Sequence, residues 1–162
     1  MIDFVEVENI KELSQLTSEI WHEYWVDLLS AEQIDYMVEK FQSEKAMTEQ
    51  IKNENYIYFY IISEGEKAGY IGLSHKEDYL FLSKIYIKKD FRHKGIGTQA
   101  FEFIKDYAKS CNYTKVILTV NKQNSNTIKA YDKWGFKTID ATVTDIGQGF
   151  VMDDYIMQYT ID

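Results

Sequence analysis

Residues 90 to 109, DFRHKGIGTQAFEFIKDYAK, place basic side chains and two closely spaced glycines just before an amphipathic run. Ala100, Phe101, Ile104 and Ala108 recur at helical spacing, which predicts a helix with one buried face. A helix N-terminus presents unpaired N–H groups and the positive end of the helix dipole, and both attract phosphate. Gly95 and Gly97 let the backbone approach an anion without a Cβ in the way. Arg92, His93 and Lys94 add positive or polar character beside them. The chemistry on offer is the holding of a diphosphate.

Known designs that use this physics narrow the reading. A nucleotide-hydrolase loop needs GxxxxGK[ST], and the segment does not contain it. Gly95-Ile96-Gly97-Thr98-Gln99-Ala100 does fit G-x-G-x-x-A, the dinucleotide fingerprint. That fingerprint follows its strand almost directly, whereas Lys88 to Lys94 separate Ile87 from Gly95. The next strand ends in Val120-Asn121, with no acid for a ribose hydroxyl. The dinucleotide reading is weak on both counts, and a lone G-x-G would serve only a tight backbone turn.

The glycines have company downstream. The stretch IYIKKDFRHKGIGTQAFEFIKDYAK resembles the main acyl-CoA-binding motif of the GCN5-related N-acetyltransferase (GNAT) family, a strand, a spacer and [RQ]-x-x-G-x-[GA], carried by Arg92, Gly95 and Gly97. LTVNKQNSNTIKAYDKWGF resembles the second signature of that family, with Asn124, Tyr131 and Gly135-Phe136 at the expected spacings. The clear resemblance covers residues 79 to 137, and the order of elements extends it over nearly the whole chain.

The resemblance implies acetyl-CoA as cosubstrate and no metal. The pantetheine arm is expected along the strand through Ile85, Tyr86 and Ile87, which splays from the strand of Val116 to Val120 to leave a V-shaped cleft. The pyrophosphate is expected on backbone N–H groups of His93, Lys94, Gly95, Ile96, Gly97 and Thr98. The implied reaction is direct attack of a neutral primary amine on the thioester. A backbone N–H near Ile85 to Ile87 would stabilise the oxyanion. Tyr131 matches the family tyrosine that returns a proton to the thiolate, and Asn124 would hydrogen-bond the pantetheine or the loop.

The family glutamate that serves as general base has no counterpart at the aligned positions, which hold Phe81 and Ser83. His75 and Glu23 are the remaining candidates, and the base stays unassigned. The acceptor, a small-molecule amine or a protein N-terminus or lysine, would meet the first two helices, which carry WHEYW (21 to 25) and Asp35-Tyr36-Met37. Aromatics beside acids can hold a cationic amine, yet Trp21 and Trp25, four apart, read first as a buried helical stripe. A catalytically silent acyl-CoA-binding module is the alternative, against which the retained Tyr131 argues.

These residues need elements to position them. The pattern predicts a strand at 2–7, helices at about 11–29 and 31–52, and two strands in 56–75 around a turn at Glu64-Gly65. Ser30 and Gln33 look like a capping box for the second helix. A strand at 79–87, the glycine-loop helix and a short apolar strand at 115–120 follow. Next come a short helix capped by Asn124, Ser125 or Asn126, a stop at Gly135 and two last strands. The sum is one α/β domain over 1–162 with a mixed, mostly antiparallel sheet, helices on both faces and the cleft between the two middle strands.

Composition agrees with that reading. The 162 residues, 45% hydrophobic, suit a single core, and no linker, repeat or low-complexity tract stands out. A net charge of −8 argues against general nucleic-acid binding and favours a cationic partner or plain solubility. The lone Cys111 excludes an internal disulfide and a cysteine-rich metal site. No apolar run approaches membrane-spanning length and the first residues lack the pattern of a signal peptide, so a cytoplasmic protein is expected. Aromatic strands late in the chain make a homodimer a further expectation.

Overall fold

The computed structural model describes residues 1–161. β1 (Ile2–Glu6) leads into three helices, α1 (Ile10–Tyr24), α2 (Ala31–Gln42) and α3 (Glu44–Asn53). β2 (Tyr56–Ser63), β3 (Glu66–His75) and β4 (Leu80–Ile87) form a meander, and a 3-10 turn at Lys89–Phe91 then leads to α4 (Ile96–Ser110). β5 (Lys115–Asn121), α5 (Ser125–Trp134), β6 (Lys137–Gly147) and β7 (Phe150–Thr160) complete the chain. The seven strands form one sheet in the order β1-β2-β3-β4-β5-β7-β6, in which only β4 and β5 are parallel neighbours.

Two apolar clusters lie on opposite faces. α4 and α5 cover one, through Ile96, Ala100, Phe101, Ile104, Ala108 and Tyr131. α1, α2 and α3 cover the other, through Leu13, Leu16, Ile20, Trp21, Ile34, Met37 and Met47. A buried polar chain ties that second layer to the sheet: Trp21 Nε1 donates to Tyr70 Oη at 2.6 Å, and Tyr70 donates to Gln42 Oε1 at 2.9 Å.

The element order is as the sequence predicts, with two corrections. The stretch read as one helix over 31–52 is two, because Ser43 is extended (φ −71°, ψ 158°) and its side chain caps α3 by accepting from Ala46 N. α1 stops at Tyr24 rather than near residue 29, and a turn through Trp25 and Leu28 delivers Ser30 to cap α2. Ser30 accepts from Gln33 N as expected, but the Gln33 amide reaches Val151 O instead of closing a capping box.

β4 holds the irregularities that matter for a site. Only Leu80 and Phe81 pair with β5, opposite Val116 and Ile117; beyond them the two strands part. Gly72 pairs with Lys84 while Leu73 pairs with Leu82, so Ser83 is an extra, bulged residue. A one-residue shift exchanges the faces of a strand. Leu80 and Leu82 therefore pack on the α4 face, whereas Tyr86 packs under α1 and Lys84 shares that face.

Gly69 is the tightest point of the β3–β4 contact, since a Cβ there would sit 2.1 Å from the Tyr86 carbonyl oxygen. Gly69→Ala should lower stability by about 1–3 kcal/mol, the scale of overpacking, as read from a urea midpoint. Tyr86 is one of the strand residues expected beneath a cofactor, so the same variant should also loosen that lip.

Candidate active site

Where β4 and β5 separate, a cavity of about 440 Å³ opens beneath α1, α2 and α3. Ile85, Tyr86, Thr119, Asn121 and Tyr131 line it from the sheet and α5, and Trp21, Tyr24, Trp25 and Met37 line it from the helices. The parting has a backbone consequence. Lys88 N–H pairs with Ala68 O on the β3 side, so by alternation the peptide groups of Ile85 and Ile87 face the cleft. With no β5 partner there, the Ile85 peptide groups and the Ile87 N–H want another extended chain to pair with, while the Ile87 carbonyl is taken by Arg92.

α4 begins at the cleft mouth. Gly95 is its N-cap in the left-handed region (φ 77°), and no side chain caps the first turn. The N–H groups of Ile96, Gly97 and Thr98 therefore lack helical acceptors, and no acid occupies that turn. Open space surrounds Gly95, so its backbone angle and not crowding requires glycine. Gly97 has a different reason: a Cβ would press Trp134 at 3.3 Å. His93, also left-handed at φ 64°, completes the curl of the loop.

Arg92 does not turn toward that loop. Its Nε donates to Ile87 O at 3.0 Å, its guanidinium lies over the Tyr24 ring at 5.2 Å, and Nη2 faces Glu23 at 3.7 Å. Glu23 also accepts from Lys89 N at 2.5 Å. Arg92 and Glu23 thus fasten the loop to α1, and the carboxylate once considered as a base is committed to that joint. His75 is likewise committed, with Tyr107 Oη 2.7 Å from Nε2 on the α4 face, away from the cavity.

Asn124 sits at the N-cap position of α5 but makes no cap bond. Its Nδ2 donates to Tyr24 Oη at 2.6 Å, and Tyr24 Oη also meets Thr127 Oγ1 at 2.6 Å. Tyr24 on α1 thus engages the amide nitrogen, and the amide oxygen has no hydrogen bond among the described residues. Tyr131 is buried against Trp134 and Phe136, and its hydroxyl has no hydrogen-bond partner among the described residues. Burial raises its pKa, which keeps the phenol protonated. Trp21 and Trp25 are both core, as their spacing predicts, and cavity wall.

Two ionisable residues in the cavity escaped the sequence reading. Asp154 on β7 is 5% exposed and Lys84 on β4 is 8% exposed; they are the buried carboxylate and the buried amine of the described residues. Lys84 Nζ donates to Ser83 Oγ at 3.0 Å and lies 3.4 Å from Tyr58 Oη, with the Tyr56 ring centroid at 5.0 Å. Burial pulls its pKa down to about 7, and Glu54 opposes the shift from too far to form an ion pair. The signal in sequence was charge inside apolar strands, one lysine in LFLSKIYI and two adjacent aspartates in FVMDDYIMQYT. The bulge at Ser83 is what turns Lys84 into the cavity.

A family model of the acetyltransferase (GNAT) family matches residues 11–136. The chain is 26% identical over 153 residues to a spermidine N(1)-acetyltransferase of Thermoplasma acidophilum, a match spanning 92% of each chain. Its fold matches that of PaiA N-acetyltransferase from Thermoplasma acidophilum, solved in complex with coenzyme A, at a TM-score of 0.81 with 22% identity over 99% of both chains. A GCN5-related N-acetyltransferase from Rhodopseudomonas palustris matches at a TM-score of 0.78 and 13% identity, over 98% of this chain and 95% of the other.

Lys84 generates a stability prediction. Its folded pKa lies below the ordinary 10.5, so the unfolded chain holds more protons between about 7 and 10.5, and stability rises with pH across that window. Below about 7 the folded protein must charge a buried amine. Lys84→Met keeps the stem, and Ser83 and Tyr58 retain Tyr56 and Gln50 as partners. The variant should gain stability in urea at pH 6, at about 1.4 kcal/mol per unit of displacement removed. The gain should shrink to a small fraction near pH 10 and vanish above the ordinary 10.5. An equal gain at both pH values would show that packing, not charge, is responsible.

Proposed function

This chain belongs to the acetyltransferase (GNAT) family and is an acyl-CoA-dependent N-acetyltransferase; we propose that it acetylates a primary amine on a small cationic molecule by direct attack on the thioester of acetyl-CoA. The observation that carries the proposal is the free Tyr131 hydroxyl in a cavity that opens where β4 leaves β5. In this reading the pantetheine extends along Ile85, Tyr86 and Ile87 and pairs with the peptide groups that β5 leaves open. The diphosphate rests on the uncapped first turn of α4 and on the loop from His93 to Thr98. Arg92 serves by holding that loop in shape through Ile87 and Glu23.

The chemistry then divides among the walls. The Ile85 N–H, facing the cleft, is placed to donate to the oxyanion of the tetrahedral adduct. Tyr131, kept protonated by burial, donates to the departing thiolate. The amine enters from the α1–α3 side. Glu49, Glu54 and Asp154 line that side, so the acidic character comes from these residues rather than from Glu23. Lys40 and Lys84 oppose it: the Lys40 ammonium is engaged by Ile146 O at 2.5 Å, and burial disfavours the charged form of Lys84. Trp21, Tyr24, Trp25 and Tyr56 offer ring faces and edges to an alkylammonium chain. The similarity to a spermidine N(1)-acetyltransferase supports a polyamine-like acceptor.

Acetyl-CoA consumption across amines of graded charge tests the acceptor. Diamines and polyamines should outperform acidic amino acids. KM for the amine should rise with salt, as the Debye length shrinks from ~10 Å at 0.1 M to ~3 Å at 1 M. Preference for anionic acceptors would overturn the cationic reading. Coenzyme A binding without turnover of any amine would favour a silent acyl-CoA-binding module.

Tyr131→Phe keeps the ring against Trp134 and Phe136 and removes the proton. The variant should lose about 10²–10⁴-fold in kcat, with coenzyme A affinity in a calorimetric titration nearly unchanged. Wild-type turnover would make Tyr131 a packing residue.

A further inference from the structure

The family position for a proton acceptor on the middle strands is empty here, with Phe81 and Ser83 on β4, and both Glu23 and His75 are committed elsewhere. The reaction still has to dispose of a proton, because an alkylamine near neutral pH arrives as ammonium and only the free base attacks a thioester. The cavity holds several groups able to take it. Glu49 and Glu54 line the cavity too, but neither carboxylate is buried. Lys84 is buried, but it sits among Tyr56, Tyr58 and Ser83 with its nitrogen already donating to a hydroxyl.

Asp154 differs from both. It stands opposite Asn121 in the β5–β7 ladder, so the two side chains share a face beside the open end of the cleft. The residue is largely buried, its carboxylate lines the cavity, and it has neither a hydrogen bond nor an ion pair to any side chain among the described residues. A carboxylate held on the cavity wall without a protein partner is free to engage a bound molecule. Resting on the proposed function above, we propose that Asp154 is the catalytic base that takes the proton from the ammonium of the acceptor. It reaches the cleft from β7, the far neighbour of β5, rather than from either strand that borders the opening.

The protons balance as follows. Asp154 takes one proton from the ammonium and later releases it to solvent, and the freed nitrogen lone pair forms the C–N bond. As the tetrahedral adduct collapses, the C–S bond breaks and the thiolate takes a proton from Tyr131. The nitrogen sheds its second proton, which restores the phenol. The products are the amide, coenzyme A thiol and one proton.

The electrostatic surroundings suit this role. Burial pushes the Asp154 pKa up to about 6; neighbouring Asp153 pushes the same way, and Lys122 opposes. Lys122 is largely occupied by Asp153, at 2.8 Å. Tyr86 from β4 is the titratable group that senses Asp154 across the cleft, and burial keeps it protonated. From farther around the same cavity Tyr24, Tyr56, Tyr131, Lys84, Lys40, Glu49 and Glu54 complete the set. A carboxyl of that pKa is ionised at neutral pH and is a stronger base than an ordinary aspartate.

The experiment compares wild type, Asp154→Asn and Lys84→Met over pH 5 to 9 with an alkyl diamine and with 2,2,2-trifluoroethylamine, whose ammonium is far more acidic. Asparagine fits the same volume and removes a buried charge, so Asp154→Asn should fold, as checked by melting temperature and coenzyme A affinity. With the diamine, kcat/KM of wild type should climb through about pH 6, while Asp154→Asn should lose that limb and fall by about 10²–10⁴-fold. With the fluorinated amine, already neutral at pH 8, the two should agree within a few fold. An undiminished Asp154→Asn, or an equal deficit with both amines, would overturn the assignment. Loss of the acid limb in Lys84→Met alone would transfer the role to Lys84. A wild type that turns over no amine would remove the proposed function itself, a result separable from any effect of position 154.

Discussion

The structure depends on an interaction that is given up. β4 and β5 are the one parallel pair in the sheet, and they hold each other for only two residues before parting. A strand in the middle of a sheet normally has both edges paired, because unpaired backbone groups in a buried setting are costly. Here β3 secures one edge of β4 along its whole length, and the other edge is left open from Leu82 onward. The two helical layers on opposite faces allow this, since each closes its own apolar cluster without needing the sheet to be continuous. What the open edge lacks is another extended, hydrogen-bonding chain, which is what a pantetheine arm supplies.

Several other features serve that gap. The loop before α4 must stay curled beside it while leaving the first-turn N–H groups free. Arg92 does this by bonding to the end of β4 and lying over Tyr24, while Glu23 holds the backbone of Lys89. Tyr24 in turn reaches Asn124 and Thr127 on α5, so a single α1 side chain links the helical layers on both sides of the opening. The residues that resemble a binding motif thus act partly through each other. In this geometry Arg92 shapes the proposed anion site through the backbone instead of offering its own charge to it.

The bulge at Ser83 has a comparable reach. It carries Lys84 and Tyr86 across to the α1–α3 face, where Tyr86 joins Trp21, Tyr24 and Trp25 in an aromatic wall. The same cavity holds a buried amine on one side and a buried carboxylate on the other, and neither has a counter-charge of its own. Both pKa values move toward neutrality, the amine down and the acid up, because burial disfavours whichever form is charged. Such an arrangement suits the proton transfer proposed above.

Much of this was legible in the chain itself. Helical and strand periodicity, the glycine spacing and the Asn124–Tyr131–Gly135 signature suffice for the element order, the antiparallel bias and the family, because these are local patterns set by backbone geometry. The left-handed stop at Gly135 and the caps at Ser30 and Ser43 obey the same local rules, although Ser43 was missed as the break that divides one long helix into two. Which side chains meet was decided only by tertiary structure. Glu23 beside Trp21 and Trp25 reads as acceptor chemistry until the chain folds and gives it to Lys89 and Arg92. Asp154, distant in sequence from either motif, enters the cavity because β7 pairs with β5 in one register and no other. Lys84 enters because one unpaired residue reverses the faces of β4. Strand register and bulges depend on partners far along the chain, and a pattern read locally has no access to them.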